Sequence, residues 1–231
     1  MILNDILSRI NITLNAGIPS DDKRYSDRYL YSILISIRAE LIKQKAAKYN
    51  FLNIFNYQTT PCLSLELSNL DDCDCIPDGV GCKYKRTSQL LPEILTSRDK
   101  FLVSSVRDLA GNIISMTTLE NSQADKYSRL KKDYTRWFLH NNRIYITSNN
   151  TDLSKIIVTG VFFDPVEVAD LEGCADDPVT CYDPFTSNFP IDKELLDTVI
   201  KMTQEEVMKY AMRIPQDMQN DAKSAEAPTS N

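Results

Sequence analysis

Glycine and histidine are scarce in this sequence, which narrows the chemistry it can support. Its 231 residues include 6 glycines and 1 histidine. A phosphate-binding loop needs glycines followed by a helix and a lysine–serine or lysine–threonine pair, and Gly79-Val80-Gly81 has neither, which argues against nucleotide hydrolysis. His140 lies at a predicted hairpin turn, where an exposed surface histidine is far more common than a catalytic base. We therefore expect a protein that is not an enzyme.

Net positive charge and long hydrophobic runs are also absent from the sequence. The formal net charge is -6, which argues against a protein that coats nucleic acid through overall attraction, while a local basic patch is compatible with it. No apolar run approaches the roughly 18 to 20 residues that a membrane helix needs. Residues 1–10 have neither a basic leader nor an unbroken apolar stretch, so no signal peptide is expected. We expect a soluble globular protein made in the cytoplasm.

The six cysteines are expected to be free or occasionally oxidised thiols, because stable disulfides are not the default in a chain without a secretory signal. Four of them follow the spacing C-x10-C-x-C-x6-C, namely Cys62, Cys73, Cys75 and Cys82; the other two are Cys174 and Cys181. Four thiolates suit zinc, but this spacing lacks the C-x2-C pair that aims two sulfurs at one metal. Aspartates in the same loop would also raise the pKa of the thiols. We predict no metal and no cofactor, and a zinc site is the alternative.

Two N-terminal segments show the periodicity of helices. Residues 3–14 place apolar side chains at three- and four-residue spacing, which predicts a short amphipathic helix. Residues 22–49 predict a second, long helix, in which apolar residues cover nearly the whole circumference between Tyr29 and Ile37. A helix that is apolar all round must be buried all round.

The long helix carries two apolar stripes, and the second needs a cover. The first stripe, Leu30, Leu34, Ile37 and Leu41, suits packing within the chain. The second stripe and a seam of small residues are expected to face another subunit, and they comprise Tyr31, Ser32, Ile35, Ser36 and Ile42. At about 25 cal/mol per Å2, burial of a few large side chains contributes several kcal/mol. The alternative is a central helix of a monomeric bundle that the C-terminal helix covers.

The C-terminal region predicts one helix and a polar tail. Phe189-Pro190-Ile191-Asp192 opens the helix and Pro215 closes it. Asp192 can cap the first turn, and Ile191 and Leu196 occupy the two positions of a hydrophobic staple. Residues 214–231 are too polar to fold alone, which is typical of an anchoring arm or of a frayed terminus.

Period-two patterns between the helices predict β-hairpins. Residues 100–106 and 113–117 flank a turn, as do 137–140 and 143–147, and residues 155–163 form a further strong strand. Asn141 and Asn142 tolerate the left-handed backbone of a tight turn. The predicted fold class is therefore α+β: residues 1–50 and 190–213 form a helical body, residues 51–189 form a β-rich insertion, and residues 214–231 form an extended tail.

A basic stretch from Lys126 to Arg136 mixes cations with aromatic residues, which suits weak contact with a phosphate backbone. Its cations are Lys126, Arg129, Lys131, Lys132 and Arg136. Such contact would be transient and would carry no base information. A plain solvent-exposed face is the alternative.

The order of these parts resembles the head-to-tail connector, or adaptor ring, proteins of short-tailed bacteriophages, and above all the ring proteins of crAss-like phages that infect Bacteroides. The likeness rests on Tyr25-Ser26-Asp27-Arg28-Tyr29 before the long helix, on 158–165 at the end of the β region, and on Phe189-Pro190-Ile191-Asp192 with the final helix and tail. It covers most of the chain.

This resemblance implies a structural virion protein of the phage neck, assembled in the host cytoplasm. Copies would pack side by side into a ring, usually of twelve, that joins the portal to further ring or tail proteins and lets DNA pass. The tail would reach the portal through Arg213, Ile214, Pro215 and Met218, and the second stripe of the long helix would form the subunit interface. The cations of the basic stretch would line the DNA lumen.

Two hypotheses from other classes compete with the ring. A small zinc-bearing nucleic-acid-binding protein would use the four clustered cysteines for the metal and the basic stretch for phosphate. A hydrolase would use acidic residues between 164 and 183, whose spacing matches no calcium-loop pattern and no recognised catalytic pair.

Overall fold

The computed structural model describes residues 1–15, 25–68, 84–126, 134–147, 153–171, 186 and 188–213, with the backbone alone at 123–126 and 210–213. The fold is α+β, which confirms the predicted class. Contacts divide the chain into two compact units, Met1–Leu41 with Phe185–Asn231 and Ile42–Pro184. Within the described ranges, no helix combines the length and the hydrophobicity of a membrane span.

Helices and strands alternate irregularly along the chain. The α-helices are α1 (Leu3–Leu14), α2 (Asp27–Tyr49), α3 (Leu119–Lys126), α4 (Pro165–Ala169) and α5 (Lys193–Arg213), and a 3-10 turn covers Ile54–Asn56. The strands are β1 (Gln58–Thr59), β2 (Leu63–Leu67), β3 (Lys85–Thr87), β4 (Thr96–Ser97), β5 (Lys100–Phe101), β6 (Val103–Asp108), β7 (Ile113–Met116), β8 (Arg136–His140), β9 (Arg143–Thr147) and β10 (Lys155–Gly160).

The first unit contains α1, most of α2 and α5. α1 has the predicted bounds and buries its apolar face of Leu3, Ile6, Leu7 and Ile10, and it packs against α5. The backbone N–H of Phe189 donates to the carbonyl of Met1 at 2.9 Å, and Ile2 forms a β-bridge with Asn188. The first residues of the chain are therefore tied to the segment just before α5.

The start of α5 confirms the predicted cap. The backbone N–H of Leu195 donates to Asp192 Oδ1 at 2.9 Å, and Asp192 is buried. Val199, Thr203 and Val207 are fully buried along one face. The hydroxyl of Thr203 donates to the carbonyl of Val199 at 2.8 Å, so this polar side chain satisfies its hydrogen bond within the helix and can lie on the apolar face.

A buried arginine supports the segment that leads into α5. Arg38 of α2 is fully buried; its Nε donates to the carbonyl of Pro190 at 2.9 Å, and its guanidinium lies 5.6 Å from the ring centroid of Phe189. A charge-assisted hydrogen bond and a cation–π contact both fix this segment. The burial of Arg38 is not predicted by the sequence, because an arginine on a helix is usually exposed.

Eight strands of the second unit form one sheet that closes on itself. The order is β1-β10-β2-β3-β9-β8-β7-β6, and β6 pairs again with β10. β10 therefore pairs with three strands, β1, β2 and β6. All neighbours are antiparallel except β7 and β8, which are parallel and which the crossover containing α3 connects.

Both predicted hairpins are present, with one correction. β8 and β9 pair in register across Asn141 and Asn142, whose φ values of 47° and 55° are left-handed, as a type I′ turn requires. β6 and β7 also pair as predicted. The predicted strand 100–106 is wrong in one respect: residues 100 and 101 belong to β5, which pairs with β4 in a separate hairpin.

Apolar residues of the sheet, of its connecting segments and of α4 form the core of the second unit. They comprise Leu63, Leu91, Ile94, Val106, Ile114, Trp137, Ile144, Ile146, Ile156, Val158, Phe162 and Val168. The indole N–H of Trp137 donates to the carbonyl of Ile114 at 3.0 Å, so its one polar atom is satisfied. Gly160 lies at a register shift of β10, and a Cβ there would lie 3.3 Å from the carbonyl oxygen of Leu102.

The predicted helical body, the inserted domain of residues 51–189 and the tail of residues 214–231 stay predictions. The division into compact units falls inside α2, between Leu41 and Ile42. Residues 214–231 lie outside the described part of the chain.

Candidate interaction surfaces

The face of α2 that was predicted to contact another subunit is only partly available. Ser32 and Ser36 are exposed and Tyr31 is half-buried. Ser36 donates its hydroxyl hydrogen bond to the carbonyl of Ser32 at 2.9 Å, so its side chain lies flat on the helix. Ile35 and Ile42 are 8% and 0% exposed within the chain itself. A neighbouring subunit is therefore not required to cover them, and the interface assignment stays a prediction whose accessible members are Tyr31, Ser32 and Ser36.

For most of the residues that were predicted to contact the portal or DNA, the structure describes no side chain. Ile214, Pro215 and Met218 lie outside the described residues, and Arg213 is the last residue of α5 with only its backbone described. Arg129, Lys131 and Lys132 also lie outside them, and Lys126 ends α3 without a described side chain. Arg136 is half-buried at the start of β8. These assignments stay predictions.

His140 is less exposed than the sequence suggests. β8 continues to this residue, and its ring lies edge-on to Tyr145 with 6.2 Å between the ring centroids. The expectation of an exposed turn histidine is therefore wrong. Its Nε2 is buried without a hydrogen-bond partner, and no group of three or more His, Cys, Asp or Glu side chains that could hold a metal occurs among the described residues.

An exposed apolar surface that the sequence analysis missed follows the end of α2. Tyr49, Phe51, Ile54 and Phe55, called the aromatic surface below, are all at least 60% exposed. The Nζ of Lys48 lies 5.0 Å from the ring centroid of Tyr49. Four large apolar side chains within seven residues, all turned to solvent, are a feature of interaction sites.

A cleft of about 570 Å3 adjoins the aromatic surface. Its lining includes Phe51, Tyr57, Arg98, Lys100 and Phe101. Burial raises the pKa of the Tyr57 phenol, which is therefore neutral at physiological pH. The cleft thus combines aromatic walls with two cations from the β4–β5 hairpin.

A group of four carboxylates, called the acidic surface below, lies beside α4. Asp164 caps α4 by accepting from the backbone N–H of Val166 at 2.8 Å, and a hydrogen bond of 2.8 Å from Phe163 N–H to the carbonyl of Glu93 brings Glu93 to the same place. Partial burial and the charges of Asp164, Asp170 and Glu93 raise the pKa of Glu167. The four acidic groups therefore repel one another.

Comparison with known families decides what kind of protein carries these surfaces. Residues 5–227 match the model of the family described as phage tail ring protein 2, a CrAss ring family. The chain belongs to this family. No curated protein matches the chain.

Membership confirms the resemblance to ring proteins of crAss-like phages, since the match covers nearly the whole chain. The protein is a structural component of the phage tail and forms part of the virion. A ring protein acts through surfaces that bind other proteins. The candidate functional residues are therefore those of the α2 face, the aromatic surface with its cleft, and the acidic surface.

The state of Cys62 departs from the expectation that stable disulfides are not the default in this chain. Cys62 is disulfide-bonded, while the other five cysteines lie outside the described residues. A virion protein does not stay in the reducing cytosol, so a missing secretory signal does not exclude a disulfide in it. A sulfur in a disulfide is not a thiolate ligand, and the zinc alternative therefore lacks one of its four sulfurs.

Proposed function

We propose that the chain forms a closed homo-oligomeric ring of twelve copies that joins the portal to the tail and lets DNA pass. The observation that carries this proposal is the match of residues 5–227 to a phage tail ring protein family. The ring is assembled in the host cytoplasm, and its partners are the portal above and further ring or tail proteins below. The number of copies and the portal come from the resemblance to phage connectors.

The structural demands of such a ring suit this chain. Pressurised DNA acts on the exit of a capsid, so the seal must come from many identical contacts between rigid subunits. The exposed Ser32 and Ser36 and the half-buried Tyr31 of the α2 face offer a shallow surface where a neighbouring subunit can approach closely. DNA would make weak contacts with the cations of the stretch from Lys126 to Arg136. The net charge of -6 keeps DNA from binding tightly to the whole protein.

The C-terminal tail docks on the portal in this proposal. Residues 214–231 are polar and follow directly from α5. A polar segment that becomes ordered on a partner is subject to the entropy cost of ordering only when it binds, so docking would follow completion of the portal. Arg213, Ile214, Pro215 and Met218 would make the first contacts.

Deletion of residues 214–231 tests this function. The truncated chain should keep its far-UV circular dichroism spectrum, because the described helices and strands all precede residue 214, and should lose capture by purified portal in a pull-down. The matched control is deletion of residues 221–231, which leaves the four proposed portal contacts in place and should retain capture. Undiminished portal capture by the longer deletion would overturn the role of the tail.

A further inference from the structure

The aromatic surface exposes more apolar area than a solvated loop requires. Phe51 and Ile54 are 70% and 73% exposed, and Phe55 is 64% exposed in the same segment. Loss of this area from water on binding would be favourable, since apolar burial contributes about 25 cal/mol per Å2. Isolated exposed apolar residues are normal, but several in one short segment indicate a binding surface.

The cleft beside the aromatic surface has an apolar wall, and two cations, Arg98 and Lys100, give it a positive charge. Arg98 and Asp99 have left-handed φ values of 49° and 61°, so β4 and β5 are joined by a tight turn. Arg98 contacts the side-chain oxygen of Asn50 at 3.5 Å. No ion pair between described residues involves Arg98 or Lys100, and both side chains are exposed.

The acidic surface carries a charge opposite in sign to that of the cleft. Glu93, Glu167 and Asp170 are exposed, and none of them forms an ion pair with a described cation. Because these carboxylates lie together, each would gain from an external positive charge more than an isolated carboxylate would. The same unit of the chain therefore carries a cationic aromatic cleft and an acidic surface on which Glu93, Glu167 and Asp170 form no ion pair with a described residue.

We propose that the cleft and aromatic surface of one copy dock onto the acidic surface of a second copy. This inference deepens the ring of the proposed function by naming its contact surfaces and rests on that function for the existence of the ring. In a head-to-tail ring each subunit must present two different, mutually complementary surfaces. A two-fold contact of the cleft with itself would instead oppose Arg98 and Lys100 to their own copies, and like charges across an interface are unfavourable.

The chemistry of the cleft favours a protein partner over nucleic acid. Cations and aromatic rings alone would also suit phosphates and stacked bases, whereas the exposed aliphatic side chain of Ile54 beside the cleft calls for apolar side chains. Apolar contacts then supply affinity, while the charges select the correct partner surface and accelerate encounter.

Charge reversal in the full-length chain tests the contact by its self-association, followed by sedimentation velocity up to about 100 μM. Lys100→Glu and Glu167→Lys should each weaken self-association by about tenfold or more, because each places like charges across the interface. Phe51→Ser should weaken it comparably through lost apolar contact. Arg107→Glu is the control, since it makes the same charge change on an exposed residue of β6 and should leave assembly unchanged.

Mixing the two charge-reversed proteins identifies the partners. Each variant alone should assemble more weakly than wild type, but an equimolar mixture of Lys100→Glu and Glu167→Lys should regain assembly, because each reversed surface then meets a complementary one. Circular dichroism of each variant checks that it remains folded, which is expected for exposed positions.

Several results would overturn the inference. They are a wild-type chain that stays monomeric over this range, a Lys100→Glu chain that assembles like wild type, and a mixture that assembles no better than its components. A Lys100→Glu chain with reduced DNA affinity and normal assembly would assign the cleft to nucleic acid instead. Portal capture is measured separately, so a ring that captures portal but ignores these substitutions refutes only this contact.

Discussion

Removal of the cap at the start of α5 should destabilise the first unit measurably. Asp192 accepts from the backbone N–H of Leu195 at 2.9 Å and is 1% exposed. In Asp192→Ala this N–H loses its acceptor, and the helix loses the negative charge that stabilises its N-terminus. α5 contacts α1, so weakening its first turn affects the packing of the unit.

The size of the effect follows from its two components. Loss of an N-cap costs about 0.5–2 kcal/mol, and loss of a charge near a helix N-terminus adds about 0.3–1 kcal/mol. A total of about 2 kcal/mol should lower the melting temperature by about 4–8 °C in a chain of this size. Thermal unfolding followed by circular dichroism at 222 nm, where helices dominate the signal, measures it.

Two control variants separate the cap from other causes. Asp192→Asn keeps an oxygen acceptor at the same position and should lose less than half as much stability. Asp197→Ala makes the same substitution at an exposed position of α5 and should change the free energy of unfolding by less than about 0.5 kcal/mol. An Asp192→Ala chain that melts within about 1 °C of wild type, or an Asp192→Asn chain that melts as low as the alanine variant, would refute the reasoning.

Two further predictions concern charge. The pKa of Glu167 is raised above 4.5 in the folded chain, so the folded state holds this proton more tightly than the unfolded state, and the stability that the proton provides is lost as the pH rises through the raised pKa. Glu167→Gln should therefore gain stability relative to wild type between about pH 4 and pH 7, and a melting-temperature difference that stays constant with pH would contradict this. For the proposed lumen, DNA affinity should be weak and should fall steeply with salt in filter-binding titrations, and joint change of Lys131 and Lys132 to Glu should reduce the salt slope by about 2; tight binding that is insensitive to salt would contradict a lumen that DNA passes.

The elements predicted best are those that local interactions specify. The three- and four-residue spacing of α1, the cap of α5 and the two asparagines between β8 and β9 each depend on residues within one turn or one hairpin. Such signals can be read from a few neighbouring positions, because helix capping and tight turns are interactions between groups close in the chain.

The candidate site was predicted less well than the fold. The α2 stripe was correctly seen as strongly apolar, but Ile35 and Ile42 are covered within the chain. The exposed Phe51, Ile54 and Phe55 were not predicted as a surface, because they show neither helical nor strand periodicity. The sequence does show three large apolar residues between α2 and β1. It does not show that they are exposed, because burial cannot be read from residue type alone.

By itself the sequence determined the fold class, the three long helical segments and the main hairpins, because these depend on contacts between residues near one another in the chain. Only the tertiary structure decided that β10 joins β1, β2 and β6 into a closed sheet, where Gln58 faces Gly160 across a hundred intervening positions or so. It also decided that Arg38 is buried beneath Phe189 and that the aromatic surface remains outside. These outcomes depend on contacts between residues that are far apart in the sequence. Such contacts are determined by the packing of the whole chain rather than by any local pattern.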